Sequence, residues 1–151
     1  MIGKFISIEG IEGAGKSTQI QFIKTYLERF NQTVVVTREP GGTPLAEEIR
    51  ELLLKPREER MSDDTELLLM FAARAQHINQ VILPALSEGK WVVSDRFVDA
   101  TFAYQGAGRG IHEERIAALS EWTLAGLKTD LTLLFDLPVD VGQQRVNQRL
   151  L

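Results

Sequence analysis

The sequence FISIEGIEGAGKST occupies residues 5–18 and sets the topology of the chain. Its first five residues are mostly apolar or β-branched, which predicts a strand buried on both faces of a parallel sheet. Residues 10–17 match the pattern G-x-x-x-x-G-K-S. The apolar positions that follow fall on one face of a helix over 16–30. This pattern between a predicted strand and a predicted helix indicates a phosphate-binding loop.

The chemistry of this loop follows from its residue types. Glycines at 10, 13 and 15 let the backbone curl so that successive N–H groups converge on one phosphate. Lys16 is expected to reach the β- and γ-phosphates, and the Ser17 hydroxyl is expected to bind Mg²⁺. The residues predicted to bind the phosphates of a nucleoside triphosphate are Gly10, Ile11, Glu12, Gly13, Ala14, Gly15, Lys16, Ser17 and Thr18.

Strand and helix patterns alternate along the rest of the chain. Apolar runs at 33–37, 91–94 and 131–135 predict three more strands. Helical patterns cover 45–54, 63–88 and 113–125, with Ser62 or Asp63 as a cap of the second and a kink at Pro84. Alternation at this spacing predicts an α/β fold with a parallel sheet between two layers of helices. No linker is evident, so residues 1–151 are predicted to form a single domain.

Composition narrows the class of protein. The chain has 17 Lys and Arg residues and 21 Asp and Glu residues, and the resulting net charge of −4 argues against a surface that binds nucleic acid. The absence of cysteine excludes a disulfide scaffold and a cysteine zinc site. No apolar run has the ~18–20 residues of a membrane span, and the first residues do not resemble a signal peptide. We therefore expect a cytoplasmic protein whose partners are small molecules.

Charged residues are expected to gather at the carboxyl ends of the strands, where such sheets bind ligands. Asp95 follows the third apolar run and is a candidate Mg²⁺ ligand together with Ser17. Arg38 and Arg96 also follow strands, and Arg74 lies within a helix. Residues 104–110 predict a glycine-rich loop with polar side chains. These residues predict a second anion site beside the phosphate-binding loop.

Five motifs occur in the order and spacing of bacterial thymidylate kinases, which the chain resembles over essentially its whole length. They are residues 10–18, Arg38-Glu39-Pro40-Gly41-Gly42, residues 70–76, Asp95-Arg96-Phe97 and Tyr104-Gln105-Gly106. The resemblance implies a three-layer P-loop kinase fold. It also implies transfer of the γ-phosphate of ATP to thymidine monophosphate, with Mg²⁺, in the synthesis of dTTP.

The resemblance also implies roles for individual residues. Arg96 and Arg38 are expected to contact the acceptor phosphate, and Lys16, Arg96, Arg38 and Asp95 are the implied catalytic residues. Arg74 is expected to bind the thymine carbonyl, and Phe71 to stack on the base, although many members carry that aromatic residue where Met70 stands. The remaining implied contacts are Thr101 and Gln105 with the base, Tyr104 with the sugar, and Glu12 with the 3′-hydroxyl or a metal-bound water.

The family is longer than this chain. The resemblance implies that a fifth strand, a last helix and most of a mobile lid are missing after residue 151, so that the domain is incomplete. A helix over 139–149 is expected to lead into the lid. Arg145 and Arg149 match positions near the adenine or the phosphates, and Leu150 stands where the family has glycine. Members commonly form homodimers.

Three other functions agree with the same phosphate-binding loop. One is a kinase for another nucleoside monophosphate, which Arg74, Thr101 and Gln105 disfavour for cytosine, because the cytosine amino group requires an acceptor. Another is a non-catalytic module that binds thymidylate. The last is a P-loop ATPase that uses water as the acceptor.

Overall fold

A four-stranded parallel sheet forms the centre of the computed structural model, which describes residues 3–149. The strands are β1 (Phe5–Glu9), β2 (Val34–Arg38), β3 (Trp91–Asp95) and β4 (Leu131–Leu134). Their order across the sheet is β2-β3-β1-β4, and every neighbouring pair is parallel. The predicted α/β fold with a parallel sheet is confirmed.

Helices cover both faces of this sheet. Phe5 and Val92 pack with Ile78, Ile82 and Ala85 on one side. On the other side, alternate residues of the same strands pack against the first helix. The helices are α1 (Lys16–Glu28), α2 (Pro44–Leu54), α3 (Asp63–His77), α4 (Leu83–Ser87), α5 (Val98–Thr101), α6 (Glu113–Leu124) and α7 (Val139–Arg149).

The four strands differ in burial. Every residue of β1 is buried, as are the three central residues of β3. The prediction of strands buried on both faces is wrong for β2 and β4, where Val36 and Leu134 are exposed. Both strands lie at the edges of the sheet within residues 3–149, and an edge strand has a neighbour on one side only.

Side-chain caps set the starts of two helices. The Thr43 hydroxyl accepts a hydrogen bond from the Ala46 N–H at 3.1 Å, and Pro44 occupies the first turn of α2. The Ser62 hydroxyl accepts from the Thr65 N–H at 3.2 Å, which identifies Ser62 as the cap of α3. These caps satisfy N–H groups that have no partner within the helix.

Two π-helical turns correct the predicted elements. The helix expected over 63–88 changes to a π turn at Ile78–Ile82 before α4 begins. We attribute the turn to Pro84, which lacks an N–H group and disfavours a regular helix around it. The prediction of a loop over 104–110 is wrong, because Phe102–Gly108 continues α5 as a second π turn.

The helices of the described chain are also short or polar. None of them within residues 3–149 is long and apolar enough to cross a bilayer. Leu150, a position singled out by the family resemblance, lies outside the described residues.

Candidate functional site

The phosphate-binding loop joins β1 to α1 through left-handed backbone conformations. Gly13 and Gly15 have φ of 78° and 84°, which glycine adopts without steric cost. A Cβ on Gly13 would collide with the Gly142 carbonyl of α7, and one on Gly10 would lie 2.7 Å from the Phe135 carbonyl oxygen. Glycine at these positions therefore serves both the loop conformation and its close packing.

Lys16 begins α1 with its side chain folded against the loop. Its Nζ donates to the Gly10 and Ile11 carbonyls at 2.9 and 3.1 Å. Burial lowers the pKa of Lys16 below its ordinary value, and the nearby charge of Arg96 acts in the same direction. The ammonium is thus held at the mouth of the loop, where it can meet a phosphate.

Asp95 and Ser17 line a depression beside the loop, together with Arg38 and Glu47. The Oδ1 atom of Asp95 is buried and has no hydrogen-bond partner among residues 3–149. Arg38 forms two bonds with Glu47, from Nε to Oε1 at 3.2 Å and from Nη2 to Oε2 at 2.8 Å. These bonds, with a further one from the Gly42 N–H, lower the pKa of Glu47 to about 2.

A separate cavity of about 510 Å³ is lined by Arg74 and Arg96, among other residues. Most of the residues expected to bind the acceptor line this cavity, and so do several residues that the sequence analysis did not select. The expected residues in its wall are Glu12, Arg74, Arg96, Tyr104 and Gln105. The additional ones include Glu39, Arg50, Glu66, Phe97 and Arg109.

Arg74 is almost fully buried and is fixed by several acceptors. Its Nε donates to Glu39 Oε2 at 2.7 Å, and its Nη2 donates to Thr101 Oγ1 at 3.0 Å and to the Phe97 carbonyl at 3.2 Å. Its guanidinium lies 4.9 Å from the centre of the Phe71 ring. The Nη1 atom is buried and has no hydrogen-bond partner among residues 3–149.

Arg96 has a left-handed backbone, with φ of 70°, which is unusual for a residue with a Cβ. Its guanidinium carbon lies 5.4 Å from the centre of the Tyr104 ring, and its Nε is buried without a partner among the described residues. Such strained conformations concentrate at functional sites. The positive φ and the unpartnered Nε make Arg96 a candidate anion-binding residue.

Two expected base contacts lie beneath the cavity wall and do not line the cavity. Phe71 is buried among Leu67, Ile111 and Ile116, and Thr101 is fully buried as an acceptor for Arg74. The placement of Phe71 does not support its expected stacking on the base. Met70 and Phe97 line the cavity instead.

Helical spacing carries a signal that distinguishes these positions. Glu66, Met70 and Arg74 lie four residues apart along α3 and all line the cavity. Leu67 and Phe71, one residue further along, lie on the face that enters the core. Once Arg74 is chosen as a site residue, the same face includes Met70 and Glu66.

The start of α7 is close to the phosphate-binding loop. Arg145 donates from Nη1 to the Gly13 carbonyl at 3.2 Å, which brings one of the two expected adenine-side arginines to the loop. Arg149 is the last residue of α7. Its side chain lies outside the described part of the structure.

Glu9 is a buried carboxyl at the end of β1 that the sequence did not single out. Its Oε1 accepts from the Phe97 N–H at 2.8 Å. Burial raises the pKa of Glu9 to about 7 and outweighs the opposing effect of the Phe97 hydrogen bond. The signal in the sequence was a charged residue at the end of a mostly apolar strand.

The pH dependence of folding stability should report this pKa. Because the pKa of Glu9 is higher in the folded chain, its contribution to stability is fully present below pH 4.5 and is lost as the pH rises from there through about 7. The change amounts to about 3 kcal/mol. Glu9→Gln keeps the acceptor for Phe97 and removes the charge, so the variant should gain stability relative to the parent between pH 5 and pH 8.

Urea unfolding of both proteins at pH 5 and pH 8 measures this difference. Other titrating groups are shared by the two chains and cancel in the comparison. Equal pH dependence in parent and variant would show that Glu9 is not titrating in this range.

Comparisons with known proteins agree with this geometry. A family model described as "Thymidylate kinase" matches residues 8–151. A thymidylate kinase of Pseudomonas putida (strain GB-1) is 60% identical over 149 residues, which are 99% of this chain and 71% of that protein. One from Vesicomyosocius okutanii is 58% identical over 147 residues, 97% of this chain and 72% of the relative.

A solved structure shows the same similarity in three dimensions. The crystal structure of thymidylate kinase from Ehrlichia chaffeensis superposes with a TM-score of 0.85 at 38% identity. The match covers 98% of this chain and 84% of that one. Both the sequence and the backbone therefore match one enzyme family.

Proposed function

The chain belongs to the thymidylate kinase family, and we propose from this premise how its residues act on the two nucleotides. The reaction is transfer of the γ-phosphoryl group of ATP to thymidine monophosphate. We place ATP on the phosphate-binding loop and the monophosphate in the cavity that contains Arg74 and Arg96. Glu12 lies in both the loop and the cavity wall, so the two sites adjoin.

The reaction requires positioning and charge neutralisation. A phosphate oxygen of the monophosphate attacks the γ-phosphorus, and the bond to the bridging oxygen of ADP breaks. The acceptor is already an anion near neutral pH, so no side chain has to remove a proton from it. Lys16 stabilises charge on the transferred group, and Arg96 holds the acceptor phosphate in line.

The other arginines differ in how directly they can reach the acceptor phosphate. Arg50 lines the same cavity as Arg96. Arg38 is bonded to Glu47 in the neighbouring depression, and it reaches the phosphate only by giving up those two bonds. We therefore assign the main acceptor contact to Arg96 and a secondary one to Arg38.

Asp95 and Ser17 fit a Mg²⁺ site. The buried Oδ1 of Asp95 has no partner among residues 3–149, and an oxygen ligand of this kind suits Mg²⁺. Within the same residues there is no cluster of three or more His, Cys, Asp or Glu side chains that could hold a metal. That agrees with Mg²⁺ held by one or two side chains together with phosphates, where the ion neutralises phosphate charge.

Arg74 and Gln105 line the cavity, and each has one buried polar atom without a partner among residues 3–149, a donor and an acceptor whose types match thymine. Arg74 Nη1 is an unused donor for the 4-carbonyl of the base, and Gln105 Oε1 is an unused acceptor for the N3–H group. Thr101 accepts a hydrogen bond from Arg74 and is fully buried, so we propose that it supports Arg74 and does not itself contact the base. We propose that Tyr104, which packs against Arg96, borders the sugar and that Glu12 contacts the 3′-hydroxyl or a metal-bound water.

Four further proposals complete the functional description. We propose one kinase domain over residues 1–151 and a homodimer, which exposed apolar side chains on α3 and α6 support, among them Leu68 and Trp122. We also propose that Arg145 and Arg149 act on the ATP side, and the packing of α7 against the loop at Gly13 supports this proposal. The bacterial relatives and the nucleotide substrates support a cytoplasmic location.

The partly unsatisfied Arg96 in the cavity wall is the observation that carries this assignment, and its substitution tests it. Arg96→Ala should lower kcat/KM for thymidine monophosphate by about 10²–10³ fold, because a charged contact to the acceptor is lost. ATP binding, measured by calorimetry, should remain close to that of the parent, since the loop contacts are intact.

Arg115→Ala is a suitable control, because Arg115 pairs with Asp64 on the exposed surface and does not line the cavity. Use of both nucleotides should be unchanged in this variant. Unimpaired use of the monophosphate by Arg96→Ala would contradict the placement of the acceptor phosphate.

A further inference from the structure

Glu66 lies in the cavity wall at the first turn of α3, next to Gln105. Its Oε1 accepts a hydrogen bond from Gln105 Nε2 at 2.8 Å. Its Oε2 accepts from Arg109 Nη2 at 3.0 Å, so the carboxylate is itself held by an ion pair. Glu66 is only 19% exposed, and Gln105 is 6% exposed.

The orientation of the Gln105 amide determines what it offers to a base. A glutamine side chain has a donor end and an acceptor end, and the two exchange when the amide turns over. A carboxylate accepts only, so Glu66 bonds to the NH₂ end and repels the carbonyl end. The carbonyl oxygen of Gln105 is consequently the end left buried without a partner among residues 3–149.

We propose that Glu66 is a positioning residue for base selection, because it holds Gln105 with its acceptor end toward the pyrimidine. This inference rests on the proposed contact between Gln105 and the base. Thymine carries a donor at N3 and an acceptor at position 4, whereas cytosine carries an acceptor at N3 and a donor at position 4. With Gln105 fixed as an acceptor and Arg74 as a donor, thymine satisfies both groups and cytosine satisfies neither.

Glu66→Gln tests this role with little change in size. A glutamine at 66 can donate as well as accept, so the Gln105 amide is free to turn and donate to N3 of cytosine. The ratio of kcat/KM for thymidine monophosphate to that for deoxycytidine monophosphate should fall roughly ten- to a hundredfold, with ATP as donor. The change is partial, because Arg74 still opposes the cytosine amino group.

The ratio is a readout that a merely structural role would not move. Both values come from the same preparation, so the fraction of folded enzyme cancels, and a partly unfolded variant still gives a valid result. Asp64→Asn is the matched control, because Asp64 is on the same helix and pairs with Arg115, away from the cavity. Its ratio should equal that of the parent.

Gln105→Leu separates this inference from the proposed base contact. A ratio that falls in Gln105→Leu and in Glu66→Gln supports both. A ratio that falls in Gln105→Leu but not in Glu66→Gln overturns the role of Glu66 and leaves the base contact standing. A ratio unchanged in Gln105→Leu overturns the base contact and, with it, the inference.

Discussion

Lys16→Ala is expected to lower kcat by about 10³ fold or more, the largest catalytic effect of any single substitution considered. The ammonium of Lys16 is held at the mouth of the phosphate-binding loop by the Gly10 and Ile11 carbonyls. From there it can stabilise the charge that develops on the transferred phosphoryl group. A 10³-fold loss of kcat corresponds to an increase of about 4 kcal/mol in the activation free energy. The measurement is turnover at saturating ATP and thymidine monophosphate.

Binding of the monophosphate should survive in this variant, because its cavity is built from other residues. Calorimetry with thymidine monophosphate alone tests that. Lys24→Ala is the control on the same helix, since Lys24 pairs with Glu28 outside both nucleotide sites. If Lys16→Ala raised KM and left kcat unchanged, Lys16 would contribute only to ground-state binding.

The phosphate-binding loop and the sheet are the parts that sequence reasoning predicts best. The loop motif fixes the order of strand, turn and helix, and the buried runs of β1 and β3 are apolar enough to be recognised alone. The observed strands β2 and β3 end one residue later than predicted, at Arg38 and at Asp95. Hydrogen bonds to the neighbouring strand set those ends, and the neighbour is not visible in the local sequence.

The helix over residues 98–108 shows where local propensity misleads. Gly106 and Gly108 are poor helix residues and favour a loop. In the folded chain, a Cβ on Gly106 would lie 3.3 Å from Ile116 Cδ1, so glycine allows this segment to pack closely against α6. Tertiary packing therefore overrides the propensity, and no local pattern reports it.

The site residues show a similar limit. The sequence was enough to select Arg38, Arg74 and Arg96 from their residue type and position. It was not enough to predict the residues with which they form hydrogen bonds. Arg38 is bonded to Glu47, nine residues away, and Arg74 to Glu39, 35 residues away. Whether a charged side chain faces a ligand or another residue depends on such pairings, which form only when the sheet brings the loops together.

Glu39 illustrates such a pairing, because it joins two buried basic side chains. Its Oε2 accepts from Arg74, and its Oε1 lies 2.9 Å from His77 Nδ1. His77 Nε2 lies 2.7 Å from the Thr37 hydroxyl. Because a carboxylate only accepts, Nδ1 carries a proton, and in the neutral ring Nε2 accepts from Thr37. The carboxylate therefore balances the charge of Arg74 and aligns the end of β2 with α3.

Glu39→Ala is expected to lower the free energy of unfolding by about 3–5 kcal/mol. The substitution leaves the Arg74 guanidinium buried without its carboxylate, and water cannot replace the lost contact in a site where Arg74 is 1% exposed. Urea unfolding gives the change in free energy, and thymidine monophosphate binding should weaken as Arg74 loses its position.

Asp64→Ala provides the comparison that isolates burial as the cause. Asp64 also forms two bonds with an arginine, at 2.8 and 2.9 Å, but both partners are exposed to water. Solvent replaces that contact, so this variant should unfold at nearly the same urea concentration as the parent. Similar decreases in the free energy of unfolding for Glu39→Ala and Asp64→Ala would contradict this explanation. They would show that hydrogen-bond geometry alone, and not the burial of the Arg74 charge, determines how much the Glu39–Arg74 pair stabilises the fold.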